Sequence, residues 1–181
     1  MSIAIKSPSD NQKTEFYGRI DSSNLYPLWE ATEEMPGKQP QTDATPAIWK
    51  FDEIRPFVVE AGDLVSGDDA ERRTLMLENP TMRGARRITE ALYSGLQCIL
   101  PGEIAVPHRH SPSAMRMVIE SEGAYTSVNG EKCDMMPGDL ILNPSWHWHG
   151  HGVESDKVHI SMTCLDVPLI KFLGPAFAER W

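Results

Sequence analysis

Cysteine is scarce in this chain of 181 residues: Cys98, Cys133 and Cys164 are three in number, and no two form a Cys-x-x-Cys pair. An odd, widely spaced set excludes a disulfide framework and a zinc knuckle, and reads as isolated thiols in a reducing compartment. Long apolar runs are missing too. No stretch approaches the roughly 20 residues of a membrane span, and the opening MSIAIKSPSDNQK has neither the apolar core nor the small-residue cleavage pattern of a secretory leader. A cytoplasmic protein without a membrane partner is expected. Basic charge is in the minority: 17 Lys and Arg stand against 26 Asp and Glu, for a formal net charge of -9. That balance repels a polyanion and excludes nucleic acid as a general partner. Repeats and low-complexity tracts are absent as well.

What is present fits one domain with a full core and an arm. Up to about residue 64, DNQKTEFYGRI and IWKFDEIRPFVVEAGDLV carry apolar residues at roughly helical spacing, separated by the proline-rich MPGKQPQTDATPA. From Arg72 onward the pattern changes to short β-like runs cut by turns: RTLMLEN, LYSGLQCILPGE, AMRMVIES, AYTSVNGEKCDM, DLILNPS and KVHISMTCLD. Asn129-Gly130 between two such runs is the strongest hairpin signal in the chain. Many short strands within about a hundred residues predict a mainly β fold, an antiparallel sandwich or barrel behind an N-terminal helical arm.

Two clusters carry the chemistry. Seven of the ten arginines (Arg72, Arg73, Arg83, Arg86, Arg87, Arg109 and Arg116) fall between residues 72 and 116, among only three acids, Glu78, Glu90 and Glu103. They form either a solvated basic face or a pocket for a small anion, since arginine grips carboxylate with paired donors. Five of the six histidines lie in VPHRHSPSAMRMVIE and NPSWHWHGHGVES. Residues i and i+2 of a strand share a face, so His108 and His110 converge on one point while Arg109 faces away. His149 is the natural third ligand from a neighbouring strand, with His147 and His151 on its side if the alternation holds. Packed, hydrogen-bonded histidines beside Trp146 and Trp148 are the plainer alternative. His159, in KVHISMT, reads as a structural strand residue.

The two histidine segments resemble the two cupin motifs. Gly102, His108, His110 and Gly123 stand at the spacing of the first, and Gly138, Pro144 and His149 at that of the second. The glutamate of the first motif is missing: its place falls at Ala114, Met115 or Arg116. In the second motif Trp146 stands for a glycine and Val153 for an asparagine. With these departures, RRTLMLENP, LYSGLQCILPGEIAVPHRHSPSAMRMVIE and PSWHWHGHG are similar to the N-terminal cupin of the gentisate 1,2-dioxygenase family, whose relatives act on salicylates and 1-hydroxy-2-naphthoate. The resemblance implies a jelly-roll barrel over residues 65–166, an arm over 1–64, and a tail over 167–181 that begins a linker to a second cupin. It implies Fe(II) held by His108, His110 and His149.

Three neutral imidazoles leave Fe(II) its full double positive charge, and the substrate then supplies the anionic ligands. A 2-hydroxybenzoate does so through its carboxylate and ring oxygen, leaving one position for O2. The family's reaction opens gentisate between the carboxyl-bearing and the adjacent hydroxyl-bearing carbon to give maleylpyruvate. From its position in the vacant glutamate slot, Arg116 clamps the substrate carboxylate or balances charge near the iron, an outward-facing surface arginine being the alternative; His151, two residues past His149, acts as acid or base on a ring hydroxyl, a hydrogen-bonded structural histidine being the alternative. The resemblance implies that Arg72 or Arg73, with Tyr93 and Gln97, lines the pocket, and a homo-oligomer is expected. Salicylate, a substituted salicylate or hydroxynaphthoate is the alternative substrate. A non-catalytic metal- or ligand-binding cupin, or a cupin enzyme for another substrate class, is the alternative function. The role of His147 stays open.

Overall fold

A computed structural model describes residues 9–32, 35–70 and 72–181. The first eight residues of the expected arm, which hold most of the stretch read as lacking a leader, lie outside the described residues, as do positions 33, 34 and 71. The chain divides into two compact units, Met1–Gln41 and Thr42–Trp181. The expected arm therefore splits before residue 64.

In the first unit, helix α1 (Asp10–Asp21) starts at a capping box: Gln12 N–H donates to Ser9 Oγ at 3.4 Å, and Ser9 N–H to Gln12 Oε1 at 2.9 Å. None of its side chains is buried. Trp29 Nε1 donates to the Tyr17 hydroxyl at 3.0 Å, tying a 3-10 turn (Leu28–Glu30) to the helix.

The second unit begins with an irregular stretch and helix α2 (Phe51–Leu64), whose first turn carries Asp52 and Glu53, the sign the helix N-terminus favours. Phe51, Ile54 and Val58 recur at helical spacing and pack on Leu96, Cys98 and Ile160. That burial is why α2 goes with the barrel and not with an arm. Arg55 adds a two-pronged hydrogen bond to Glu120, 2.6 and 2.8 Å.

After a single turn, α3 (Gly67–Ala70), the chain forms strands β1 (Thr74–Leu77), β2 (Tyr93–Ile99), β3 (Ile104–His110), β4 (Ala114–Glu120), β5 (Ala124–Val128), β6 (Glu131–Met135), β7 (Leu140–Asn143), β8 (His149–Val153) and β9 (His159–Leu165). Helix α4 (Val167–Leu173) and strand β10 (Ala178–Arg180) complete it. Two five-stranded antiparallel sheets result, ordered β1-β2-β9-β4-β7 and β10-β3-β8-β5-β6. Asn129 (φ 49°) and Gly130 (φ 91°) form the expected turn between β5 and β6. The runs picked out by alternation become β1, β2, β4, β5, β6, β7 and β9. Strands β3 and β8 escape that reading because Pro107 and the glycines and histidines of HGHGV interrupt it. Residues 167–181, expected as a tail, fold back: α4 ends on Gly174 at φ 95°, and β10 pairs with β3. No helix among the described residues is long and apolar enough to cross a membrane.

Register sorts the interior into rows. Across the first sheet run Tyr93–Leu165–Ala114–Asn143, then Gly95–Thr163–Arg116–Ile141, then Gln97–Ser161–Val118, then Ile99–His159. Across the second, His108 pairs His149 and Ala105 pairs His151, with a register shift at the intervening Pro107. Ile99, Val118, Ala124, Met135 and Val153 close one end of the barrel as an apolar cluster. Polar rows therefore lie between the open end and that cluster.

Candidate metal centre

His108, His110 and His149 meet as the strand period requires. Their ligand atoms all lie within 4.8 Å of one another. Ring centroids are 5.2 Å apart for His108 and His110, 4.3 Å for His108 and His149, and 4.8 Å for His110 and His149. Hydrogen bonds fix two tautomers. His110 Nδ1 is 2.6 Å from Pro112 O, and His149 Nδ1 is 2.8 Å from His147 O. A carbonyl only accepts, so both Nδ1 atoms carry the proton and both Nε2 lone pairs are free for a cation. His108 Nδ1 meets Arg72 Nη2, which also donates to Val106 O at 3.0 Å. Burial first, then Arg72 and the two other rings, holds His108 down at about 2. Burial, opposed by the bond to the His147 carbonyl, brings His149 to about 4. Both are uncharged imidazoles at neutral pH, the form that ligates.

The histidines open on a cavity of about 330 Å³ whose walls include Arg72, Tyr93, Gln97, Arg116 and Asn143. That volume is in the range of small-molecule sites. None of its described lining residues is acidic. Arg116, on the second row, is 6% exposed. Its Nη1 donates to Gln97 Oε1 at 2.7 Å and Ser161 Oγ at 2.6 Å, and its Nη2 to His151 Nε2 at 2.9 Å. All three partners are neutral, so a buried cation stands without a carboxylate. Burial first, and Arg72 second, bring this guanidinium down to about 9, leaving it charged at neutral pH. Burial also raises the Tyr93 phenol, which Arg116 and Arg72 partly oppose, so its hydroxyl keeps its proton.

Two expected site residues are placed differently. Arg73 is turned away from the cavity: its Nη1 donates to Val65 O at 2.8 Å and Glu103 Oε1 at 3.0 Å, and its Nη2 to Glu103 Oε2. The two residues just before β1 point to opposite sides, Arg72 to the cavity and Arg73 to Glu103. His151 sits behind Arg116 and not on the wall, because two residues beyond His149 along β8 is one row deeper. As a guanidinium only donates, His151 Nε2 accepts and the proton is on Nδ1. Asn143, Thr163, Leu165 and Met76 also line the cavity, unsignalled by any motif. Alternation along β7 and β9 was the available cue. His147 is not on the wall; its Nδ1 lies 3.0 Å from Ser145 O.

Trp146 keeps the tight turn although it stands where a glycine is usual. Its φ is 65°, in the left-handed region, at a cost of roughly 1–2 kcal/mol for a side chain with a Cβ. Trp146 N–H donates to His110 O at 2.8 Å, which joins the two ligand-bearing segments.

Residues 95–167 match the cupin domain model, and the two antiparallel sheets agree with that fold. Over its whole length the chain is 45% identical to gentisate 1,2 dioxygenase 1 of Aquipseudomonas alcaligenes, covering 52% of that protein. It is 39% identical over 166 residues to the gentisate 1,2-dioxygenase of a Ralstonia species, 90% of this chain and 46% of that one. Among solved structures, the salicylate 1,2-dioxygenase of Pseudoaminobacter salicylatoxidans in its adducts with gentisate superposes with a TM-score of 0.87 at 32% identity, covering 100% of this chain and 50% of the other. The chain is thus homologous to the gentisate 1,2-dioxygenase family of cupins, and it spans about half the length of the curated relatives it matches.

Proposed function

We propose that the chain holds Fe(II) on His108, His110 and His149 and opens the ring of a 2-hydroxybenzoate, gentisate foremost, between the carboxyl-bearing and adjacent hydroxyl-bearing carbons with O2. The observation that carries this is a three-histidine cluster without a carboxylate, facing a cavity whose charged groups are arginines. The donor set fits a divalent ion: two lone pairs are presented by fixed tautomers, and His108, whose Nδ1 accepts from Arg72, presents a third at Nε2 once Arg72 leaves Nδ1 for the substrate carboxylate and the ring proton moves there. When bound, the iron supplies the open coordination positions at which an aromatic hydroxy acid and O2 meet.

The chain's own residues supply binding and orientation. Arg116 and Arg72 attract the substrate carboxylate into a cavity with no acidic residue among its described walls. Gln97 and Ser161 hold the Arg116 guanidinium from one side and His151 from the other, so the cation cannot swing to solvent. His151 serves as a positioning residue through Arg116. The Tyr93 hydroxyl, still protonated, is available to donate to a ring oxygen.

Oxygen uptake by the Fe(II)-loaded chain, with gentisate or salicylate and a His149→Ala control, tests the reading. Uptake with a ring-opened absorbance product, lost in the control, is expected. Stoichiometric iron and aromatic-acid binding without uptake would instead favour a metal- and ligand-binding cupin. The expected self-association is supported by the outer face of β4 and β7, where Met115 pairs Leu142 and Met117 pairs Leu140, all exposed. A sedimentation measurement giving only monomer would refute it.

A further inference from the structure

We infer that Arg109, clamped from outside by strand β10, is a positioning residue for the metal ligands, so that the C-terminal strand governs how tightly the histidines hold their ion. This rests on the reading that the triad binds a divalent metal. The inference follows from alternation. On β3, His108 and His110 face inward and Arg109 between them faces out; in the segment leading to β8, His149 is inward and Trp148 beside it is outside. The outward residues form one stack. The Arg109 guanidinium lies 4.3 Å from the Trp146 ring centre and 4.8 Å from that of Trp148. Its Nε donates to Glu179 Oε2 on β10 at 2.7 Å.

Strand β10 reaches both ligand-bearing segments. Its residues pair Ala178 with His110, Glu179 with Arg109 and Arg180 with His108. At one end Ser111 N–H donates to Phe177 O at 3.0 Å, and at the other Trp181 N–H donates to Pro107 O at 3.1 Å. Phe177 packs 4.6 Å from Trp146, and Trp181 packs 5.4 Å from Trp148. Trp146, held at positive φ, is thereby fixed from three sides: by Phe177, by Arg109 and by its own N–H on His110 O. A strained residue persists only where its surroundings over-determine it. Without the clamp, the turn before His149 and the bulged strand carrying His108 and His110 lose the contact that sets their separation. A spread of that kind acts on metal affinity before it acts on the fold, because the barrel core lies elsewhere, at Ile99, Val118 and Met135.

The test measures Co(II) affinity by chelator competition, Co(II) dissociation rate and the visible Co(II) band, alongside circular dichroism and thermal midpoint. The proteins are the full chain and its Arg109→Met, Arg109→Lys and Glu179→Gln variants. Arg109→Met is expected to bind Co(II) about tenfold more weakly, with an altered band, at temperatures where it remains folded. Arg109→Lys, which keeps the charge against Glu179 and the rings, restores most of the affinity. If Arg109→Met does not fold, Glu179→Gln reads the same coupling as a loss of about twofold to threefold. Wild-type affinity, rate and band in both Arg109→Met and Glu179→Gln, with only the thermal midpoint lowered, would overturn the inference. A full chain that binds no Co(II) overturns the metal-site reading on which it stands.

Discussion

Arg72 and Arg73 are neighbours in sequence, and the structure assigns them opposite duties that a pair of substitutions separates. The Arg73 side chain is 4% exposed and its partner Glu103 26% exposed. Burial pushes the Glu103 carboxyl up, and the hydrogen bonds from Arg73 and from the Leu100 N–H outweigh it, leaving it below its ordinary value of 4.5. Breaking a buried pair costs roughly 3–5 kcal/mol; because Glu103 retains some water, about 2–3 kcal/mol is the working figure for Arg73→Met. With a urea dependence of about 2 kcal/mol per molar, the midpoint falls by about 1 M. The sign with pH follows from the lowered Glu103 value. The gap between wild type and variant is full above 4.5 and closes as pH falls through the folded value. Arg72→Met, by contrast, changes stability by less than about 1 kcal/mol but weakens gentisate binding, measured by anaerobic calorimetry on the metal-loaded chain, by about tenfold or more. An Arg73→Met protein as stable as wild type with impaired gentisate binding would refute the assignment.

His159 is fully buried, and neither ring nitrogen has a hydrogen-bond partner among the described residues. Burial, and then Arg116, lower it from 6.5 to about 4, so the unfolded chain binds the extra proton and stability falls as pH drops from 6.5 towards 4. In chelator, wild type should lose about 2.5 kcal/mol more than His159→Leu between pH 7 and 4.5 in urea titrations; parallel pH dependences would show that the ring is paired or charged. Asn143, 1% exposed on the row nearest the cavity mouth, has an amide nitrogen without a partner among the described residues. A site with an unused donor favours a ring carrying a polar group, so Asn143→Leu should cut the kcat/KM preference for gentisate over salicylate by about tenfold. An unchanged ratio would remove Asn143 from specificity.

Much of the site was legible because it depends on local periodicity. A period of two puts His108 and His110 on one face whatever surrounds them, and the same rule groups Tyr93 with Gln97. Asn129-Gly130 announces its turn because both residues tolerate positive φ. Helix α2 was readable as a helix from Phe51, Ile54 and Val58, but its attachment to the barrel was not, since a periodic apolar face does not name its partner. The extent of β3 before His108 was hidden by Pro107, which lies in a register shift that only the pairing with β8 reveals. Trp146 stands where the second motif has a glycine, and only the structure shows that it keeps a glycine's backbone.

By itself the sequence determined which side chains could act: two histidines at strand spacing, a third in a second motif, and an arginine where a carboxylate is usual. Tertiary structure decided which of them meet. It set Arg72 against the cavity and Arg73 against Glu103, put His151 behind Arg116, and turned the last residues into the strand that grips Arg109. The physical reason is that a strand's period fixes only the side from which a residue points. Distance along the barrel axis, and therefore row, depth and partner, comes from the register between strands far apart in the chain.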